Sequence, residues 1–472
     1  MIVTLDALSS EPHCDVCIAG SGPAGLSLAL ALAERGFAVI VIEGGNEHFT
    51  EKSQDIYKGE VVGDPYFYLD ASRLRQFGGT SNHWQGWCRP LDPIDFERKS
   101  YAPDANWPIT KSDLDPYLSA AARILNVSDR FEDGSALHGV RRIAFLQADP
   151  IPRFGEKFRR EVERSSTLRV ALRSNLSGVQ SDGYRVTSFR VKDYSGNSLD
   201  IMARKFVIAC GGIENSRLLL HFNRQTNGRL VNNPDVLGRY WMEHPHFHVG
   251  YAVFETPETG MLHFALTRAE MQALGILNCR LTVWPLRRDL GRRVLRAMAC
   301  EAPSLVRSAT RSVFGNRQCA TRLLAASEQA PKADNRIVLD DRVTDRFGIP
   351  APKLHWRKSA LDRKTILRST IKFGEFLARS GKGRLRIDRW LLEDEGFPGG
   401  DWLAGNHHMG GTRMSARAEN GVVDQNLRVW GQDNLFVAGS SVFPAGGYAN
   451  PTLSIVQLSL RLADHLAHEL SA

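Results

Sequence analysis

The sequence predicts an α/β protein of about two domains that opens with a Rossmann-like dinucleotide-binding unit. Three observations carry this. A strand, a glycine-rich turn, a helix and a second strand follow one another within residues 14–42. An acidic residue, Glu43, closes the second strand. The chain has 472 residues, enough to bury large cores and divide into about two domains. Its hydrophobic content of 43% and charged content of 24% are those of a globular protein.

Residues 14–19 read as a buried strand. The turn Gly20-Ser21-Gly22-Pro23-Ala24-Gly25 is a GxGxxG. Residues 26–35 (LSLALALAER) read as a helix that Gly36 ends, and residues 37–42 (FAVIVI) as a second buried strand. Gly20 permits the tight turn, Gly22 lets a pyrophosphate approach the backbone, and Gly25 lets helix pack on strand. Ser21, Ala24 and Gly44 flank this path. The pyrophosphate then sits at the helix N-terminus. Glu43 can bind both ribose hydroxyls and disfavours a 2′-phosphate, because like charges would meet.

A second glycine-rich loop bears on which dinucleotide is held. Arg75-Gln76-Phe77-Gly78-Gly79-Thr80-Ser81-Asn82-His83-Trp84-Gln85-Gly86 is dense in polar and aromatic groups. An isoalloxazine needs amides near N5 and O4 and a flat surface, and this loop offers both. It also reads as an ordinary glycine turn with a packed tryptophan.

Near the end, two small loops each present a strong hydrogen-bonding side chain. One is Asn406-His407-His408-Met409-Gly410-Gly411-Thr412-Arg413-Met414 and the other Gly446-Gly447-Tyr448-Ala449-Asn450-Pro451-Thr452. A strand ending in Gly439-Ser440 lies between them. Asn450-Pro451-Thr452 has the signature of a helix start, whose free N–H groups could face an electron-rich ring.

These motifs together, in this order from about residue 14 to 465, resemble the glucose–methanol–choline (GMC) flavoprotein oxidoreductases. The His-plus-Asn pairing is similar to the pyranose oxidase and cholesterol oxidase branches. The resemblance implies FAD rather than NAD, and a discontinuous FAD domain of residues 1–100, 165–245 and 405–472. It implies an excursion over the flavin entrance at 101–164 and an α+β substrate domain at 246–404. It also implies cofactor contacts from Cys210, Gly211, Gly439, Ser440, Asn450, Pro451 and Thr452. Gly439 stands where many members have Asp. His83 matches the position that carries an 8α-histidyl bond to FAD in pyranose oxidase-like members.

The implied reaction is oxidation of an alcohol on a sugar, cyclitol or other hydroxylated metabolite. A hydride goes to flavin N5 and a base takes the hydroxyl proton. An imidazole suits, with a reference pKa of about 6.5, and a second group should hold the oxygen as charge develops. His407 and Asn450 fit these roles. Alignment on the Arg-Met register selects His407, whereas alignment on Gly-Thr alone would select His408, which otherwise shapes the pocket. The acceptor is oxygen, a quinone or another oxidant. Alternatives are the FAD subunit of an electron-transfer assembly and a flavin-containing lyase.

Elsewhere, residues 91–125 read as a Pro-rich excursion ending in a helix from Ser112, and 128–149 as a loop. Residues 168–208 read as three meandering strands before Cys210-Gly211-Gly212 and a helix. His244, His246 and His248 alternate as on a strand and are expected to be packed or surface histidines, not a metal site. Residues 280–322 hold ten Arg against two acidic residues, which accounts for the formal charge of +8. The basic amphipathic pattern is expected to be a solvated face or oligomer contact, with peripheral membrane or acidic-partner binding as the sharper alternative. Nucleic acid is not expected, since no recognition motif accompanies the basic stretch. No apolar run reaches a membrane span, no signal peptide is visible at 1–12, and the seven scattered cysteines fit a reducing compartment. The expectation is a cytoplasmic protein.

Overall fold

The computed structural model describes residues 1–255, 260–284, 321–393, 395–399 and 404–472. Its first layer is an eight-stranded sheet. Strand His13–Ala19 lies parallel to Val39–Ile42, which lies parallel to Leu168–Ala171, with Ile2–Val3 at that edge. On its other side His13–Ala19 pairs parallel with the long strand Ser198–Ile208. That strand serves two neighbours: its first half pairs antiparallel with Val186–Lys192, and its end pairs parallel with Leu435–Val437. Residues from both ends of the chain therefore converge at one edge of the glycine turn. The helix Pro23–Ala33 is almost wholly buried, and the C-terminal helix Thr452–Ser471 packs across it.

The expected first meander strand is divided in two. Arg173 takes a left-handed backbone, φ 55°, which ends Leu168–Ala171 and starts Asn175–Ser181 in a new direction. The meander proper is Asn175–Ser181, Val186–Lys192 and Ser198–Ile208. The expected helix from Ser112 is also corrected. Thr110 caps a short 3-10 turn, Lys111–Asp113, and Pro116 lies in a second one. The α-helix begins only at Leu118 and runs to Leu125.

The second layer is a six-stranded antiparallel sheet in the order Gly383–Ile387, His246–Phe254, Thr321–Ser327, Cys279–Val283, Leu262–Leu266, Val140–Arg142. One face packs Phe247, Leu281, Leu323 and Phe264 on Ile366, Phe373 and Leu377 of the helix Ala360–Arg379. Strand side chains alternate, so the other face presents Arg280, Thr282, Leu324 and His246, and this face floors the cavity described below. A three-stranded sheet, Arg336–Thr344, Pro350–Trp356 and Glu60–Gly63, joins the two layers.

The reading of 280–322 as a solvated basic face does not hold at Arg280, which is buried within the strand Cys279–Val283, whereas Arg322, on the partner strand, is exposed. Arg287, Arg288, Arg292, Arg293 and Arg296 lie outside the described residues. No helix among the described residues is long and apolar enough to cross a membrane.

Candidate active site

A cavity of about 860 Å³ runs between the glycine turn and the open face of the six-stranded sheet, in the size range of ligand sites. At its cofactor end the three glycines of the turn differ. Gly20 has φ 105°, and a Cβ there would overlap the Ala209 carbonyl. A Cβ on Gly25 would overlap the Gly20 carbonyl, so the helix sits directly on the turn. A Cβ on Gly22 would meet no protein atom within 4 Å, because Gly22 faces the cavity. Gly22 is also the helix N-cap and offers no side-chain cap, so the first N–H groups of the helix are free for an anion.

Glu43 is buried and partly committed to the turn. Its Oε2 accepts from Ser21 N at 3.0 Å and Ser21 Oγ at 2.7 Å, and its Oε1 accepts from Gly45 N at 2.7 Å. It lines the cavity with Ser21, Gly22, Ala24, Gly44 and Arg75. Arg75 Nη2 donates to Asn175 Oδ1 at 2.5 Å. In the second glycine loop, Gly79, Thr80, His83 and Trp84 line the cavity. Gly78 and Asn82, expected at the flavin, do not. Gly78 N donates to Ser21 Oγ at 3.2 Å, and Asn82 Nδ2 donates to the Phe77 and Gly79 carbonyls, both at 2.9 Å. Both residues shape the loop, and its walls are left to neighbours. Trp84 is anchored through Nε1 to the Pro152 carbonyl at 2.9 Å. His83 is exposed by its surface area, but partial desolvation of its ring within the loop, followed by Arg153, lowers its proton affinity, so the ring is neutral at pH 7.

Cys210, Gly211, Gly439, Ser440, Asn450, Pro451 and Thr452 complete this half. Asn215, not foreseen, ties the strand ends that carry them. Its Oδ1 accepts from Cys210 N at 2.7 Å, and its Nδ2 donates to Ala438 O at 3.0 Å and Ser441 Oγ at 2.8 Å. Asn450 Oδ1 is buried without a hydrogen-bond partner, beside the uncapped N-terminus of the C-terminal helix. Free helix N–H groups, an open glycine backbone and an unpartnered amide on a long cavity fit a dinucleotide that ends in an electron-rich ring.

His407 and His408 both line the cavity but differ in surroundings. His408 is buried against Trp241 and Tyr66, and its carbonyl accepts from Ser440 Oγ at 2.6 Å. His407 is half-buried, and its Nδ1 lies 2.9 Å from His244 Nδ1. Burial, followed by His244, His246 and Arg280, pushes the His407 proton affinity well down, and burial holds His244 at about 3. Both rings are neutral, so one Nδ1 carries the shared proton. If His407 carries it, its Nε2 is a free lone pair. The loop is held from below by Glu243, another residue the sequence did not flag. Glu243 Oε1 accepts from Tyr66 Oη at 2.8 Å, and Oε2 accepts from His244 N at 2.6 Å and Gly405 N at 3.1 Å. Burial pushes the Glu243 carboxyl up to about 7 against these donors.

The other end of the cavity is walled by the sheet face. Arg280, Thr282 and Trp284 follow one another at every second position. Thr282 faces His263 across the ladder, with His263 Nδ1 3.0 Å from Thr282 Oγ1. Phe145 stacks on Trp87 at 5.9 Å. Of the three alternating histidines, His246 lines the cavity and His244 supports His407. Among the described residues no group of three or more His, Cys, Asp or Glu could hold a metal.

A family model described as GMC oxidoreductase matches residues 331–459, and an FAD binding domain matches residues 13–57. The fructose dehydrogenase large subunit of Gluconobacter japonicus is 26% identical over 289 residues, 61% of this chain and 51% of that protein. A C-glycoside 3-oxidase of Microbacterium trichothecenolyticum is 35% identical over 145 residues, 30% of this chain and 26% of that protein. The chain thus matches about half or less of these relatives' length. The 2-methyl-1,2-propanediol dehydrogenase of Mycolicibacterium austroafricanum is 23% identical, covering 98% of this chain and 97% of that protein. Among solved structures, pyridoxine 4-oxidase from Mesorbium loti superposes with a TM-score of 0.62 at 17% identity, over 96% of this chain and 99% of that one.

Proposed function

Because this chain belongs to the GMC oxidoreductases and is an FAD protein, we propose that it oxidises an alcohol group on a sugar, cyclitol or similar hydroxylated metabolite, with His407 as base. The observation that carries this is the contact of His407 with His244 at the cavity wall. A His407 proton held on Nδ1 by His244 leaves Nε2 to take the hydroxyl proton. Asn450, which lines the cavity, holds the substrate oxygen by donating from its Nδ2 as charge develops on that oxygen. Bound FAD supplies the hydride acceptor. The cavity walls Trp87 and Phe145 exclude water from the reacting carbon. His408, packed between aromatic rings, shapes the pocket.

Names among the relatives support the substrate class, since two act on sugars or glycosides and one on a diol. A second reading, an FAD subunit that passes electrons to a partner, is supported by the likeness to a dehydrogenase large subunit. Anaerobic mixing with a panel of sugars, hydroxy acids, cyclitols and diols tests the main reading. A member of the panel bleaches the flavin absorption, whereas a flavin that stays oxidised with every alcohol rejects it. Air then distinguishes the acceptors: stoichiometric hydrogen peroxide marks an oxidase, and fast turnover only with a quinone or dye marks a dehydrogenase.

His83, at the cavity wall with a neutral ring, carries the 8α bond to the cofactor in this reading. Acid precipitation leaves yellow colour in the pellet, and His83→Ala moves it to the supernatant. Colour in the wild-type supernatant ends this part.

A further inference from the structure

We propose that Arg280 binds an oxyanion of the substrate, and that the alcohol oxidised is therefore a hydroxy carboxylate. This rests on the reading of the cavity as an alcohol-oxidising site. Arg280 lines the cavity on the Cys279–Val283 strand and is 7% exposed. Its Nε and Nη1 are buried without hydrogen-bond partners. The guanidinium lies over the Phe145 ring, 3.9 Å from its centroid. Among the described residues no carboxylate pairs with it.

The other buried arginines behave differently. Arg73 pairs with Glu214, Arg89 with Asp92 and Asp133, and Arg217 with Glu214 and Asp345. That is the ordinary condition, because a buried charge is costly unless paired and hydrogen-bonded. Burial lowers the Arg280 proton affinity only to about 10, so it stays charged at neutral pH. The nearby ring of His263 is held neutral, at about 3, by burial and then by Arg280 itself. Among the described residues none on the cavity side of this sheet is acidic: the wall is Met261, His263, Thr282, Trp284, His246 and Leu324. The missing counter-charge is supplied by what enters the cavity.

One guanidinium among neutral groups suits a monoanion, and its planar fork matches a carboxylate. A phosphoryl dianion would ask for a second cation, which this wall lacks among the described residues. Arg280 is also among the charges that hold down the His407 proton affinity. A bound carboxylate offsets that charge and makes His407 the stronger base, which couples substrate recognition to proton removal.

The holoenzyme is titrated with acetate, benzoate and D-gluconate and with their neutral amides, following perturbation of the flavin absorption spectrum, which requires no turnover. At least one acid binds about 10- to 100-fold more tightly than its amide, the range of a charge-assisted hydrogen bond. Arg280→Met removes that preference, and Arg280→Lys keeps part of it. Equal binding of every acid and its amide overturns the proposal, and this comparison stands even if Arg280→Met fails to fold. A preference untouched by Arg280→Met also overturns it, as does a lowered flavin reduction potential with the preference intact, which would set the guanidinium on the flavin. Inorganic phosphate binding more tightly than every carboxylate overturns the carboxylate assignment. Preferential acid binding with no alcohol able to bleach the flavin supports the anion site and rejects the oxidation reading instead.

Discussion

The two ends of the cavity are built in opposite ways. At the cofactor end the contacts come from backbone: a turn at Gly20 with positive φ, an open face at Gly22, and a helix packed through Gly25, all within six consecutive residues. At the substrate end the contacts come from side chains, Arg280, Thr282, His263 and His246, carried on three separate strands with one face toward the cavity. A backbone site demands particular residues at fixed spacing, because only glycine tolerates the conformation or the approach. A side-chain site on a sheet face demands only alternation, which any half-buried strand already has. Perturbing the first should therefore change whether cofactor is held, and perturbing the second which substrate is taken.

The sharpest break of this contrast is at the helix packed on the turn. Gly25→Val drives its side chain into the Gly20 carbonyl, so the strand–turn–helix unit cannot close, and the protein should be recovered colourless or insoluble. Gly22→Ala, three residues earlier, meets no protein atom. It should fold with an unchanged apoprotein melting temperature but release FAD more readily on dilution. Equal behaviour of the two variants would mean that the turn does not divide packing from ligand approach as described.

The next largest effect is expected at the loop that joins the two ends. His407→Ala should slow flavin reduction by roughly 10²–10⁴-fold, the range for a general base, while FAD content is kept. His408→Ala should cost far less in stopped-flow reduction. The reverse order would transfer the role to His408. His244→Phe, which removes the Nδ1 partner at 2.9 Å, should cost about 10- to 100-fold, as for partners that orient a functional histidine through its other nitrogen. It should also change the pH dependence of reduction, which loss of packing alone would not.

These tests follow the boundary between what could and could not be read in the sequence. The strand, turn, helix, strand and Glu43 were legible because each is local and each obeys a strong backbone rule. That His407, Asn450 and most of the second glycine loop would share one cavity was legible through the family resemblance. Asn82 does not line the cavity, because a polar side chain in a glycine loop serves the loop's own carbonyls as readily as a ligand. Arg280 was read with its neighbours as part of a basic stretch, since charge composition ignores which face a strand turns inward. Glu243 and Asn215 left no signal, because most of their partners lie 162 to 226 residues away and only the fold brings them close. The break at Arg173 was hidden for a related reason: a left-handed residue that is not glycine has no distinctive composition.

Glu243 gives the smallest effect and the one that tests the supporting shell. Its carboxylate accepts from Tyr66, His244 and Gly405, groups that favour the ionised form. Burial is the larger influence and raises its pKa to about 7. A carboxyl raised in the folded state binds its proton there at pH values where the unfolded chain has lost it, so stability falls as pH rises across that interval. The contribution is complete below the ordinary carboxyl pKa of about 4.3 and is lost as pH passes through about 7. The span corresponds to on the order of 3 kcal/mol. Thermal melts of wild type and Glu243→Gln between pH 5 and 8 should therefore differ in slope, with the wild type losing more stability toward the alkaline end. Glutamine can keep its oxygen on the amides of His244 and Gly405 and donate its N–H₂ to Tyr66 Oη, so flavin reduction at pH 5, where the wild-type carboxyl is also uncharged, should be nearly unchanged. Parallel melting curves would show that Glu243 does not titrate in this interval. A marked slowing of reduction at pH 5 would show that the His407 loop needs the carboxyl itself and not only an acceptor for the His244 and Gly405 amides.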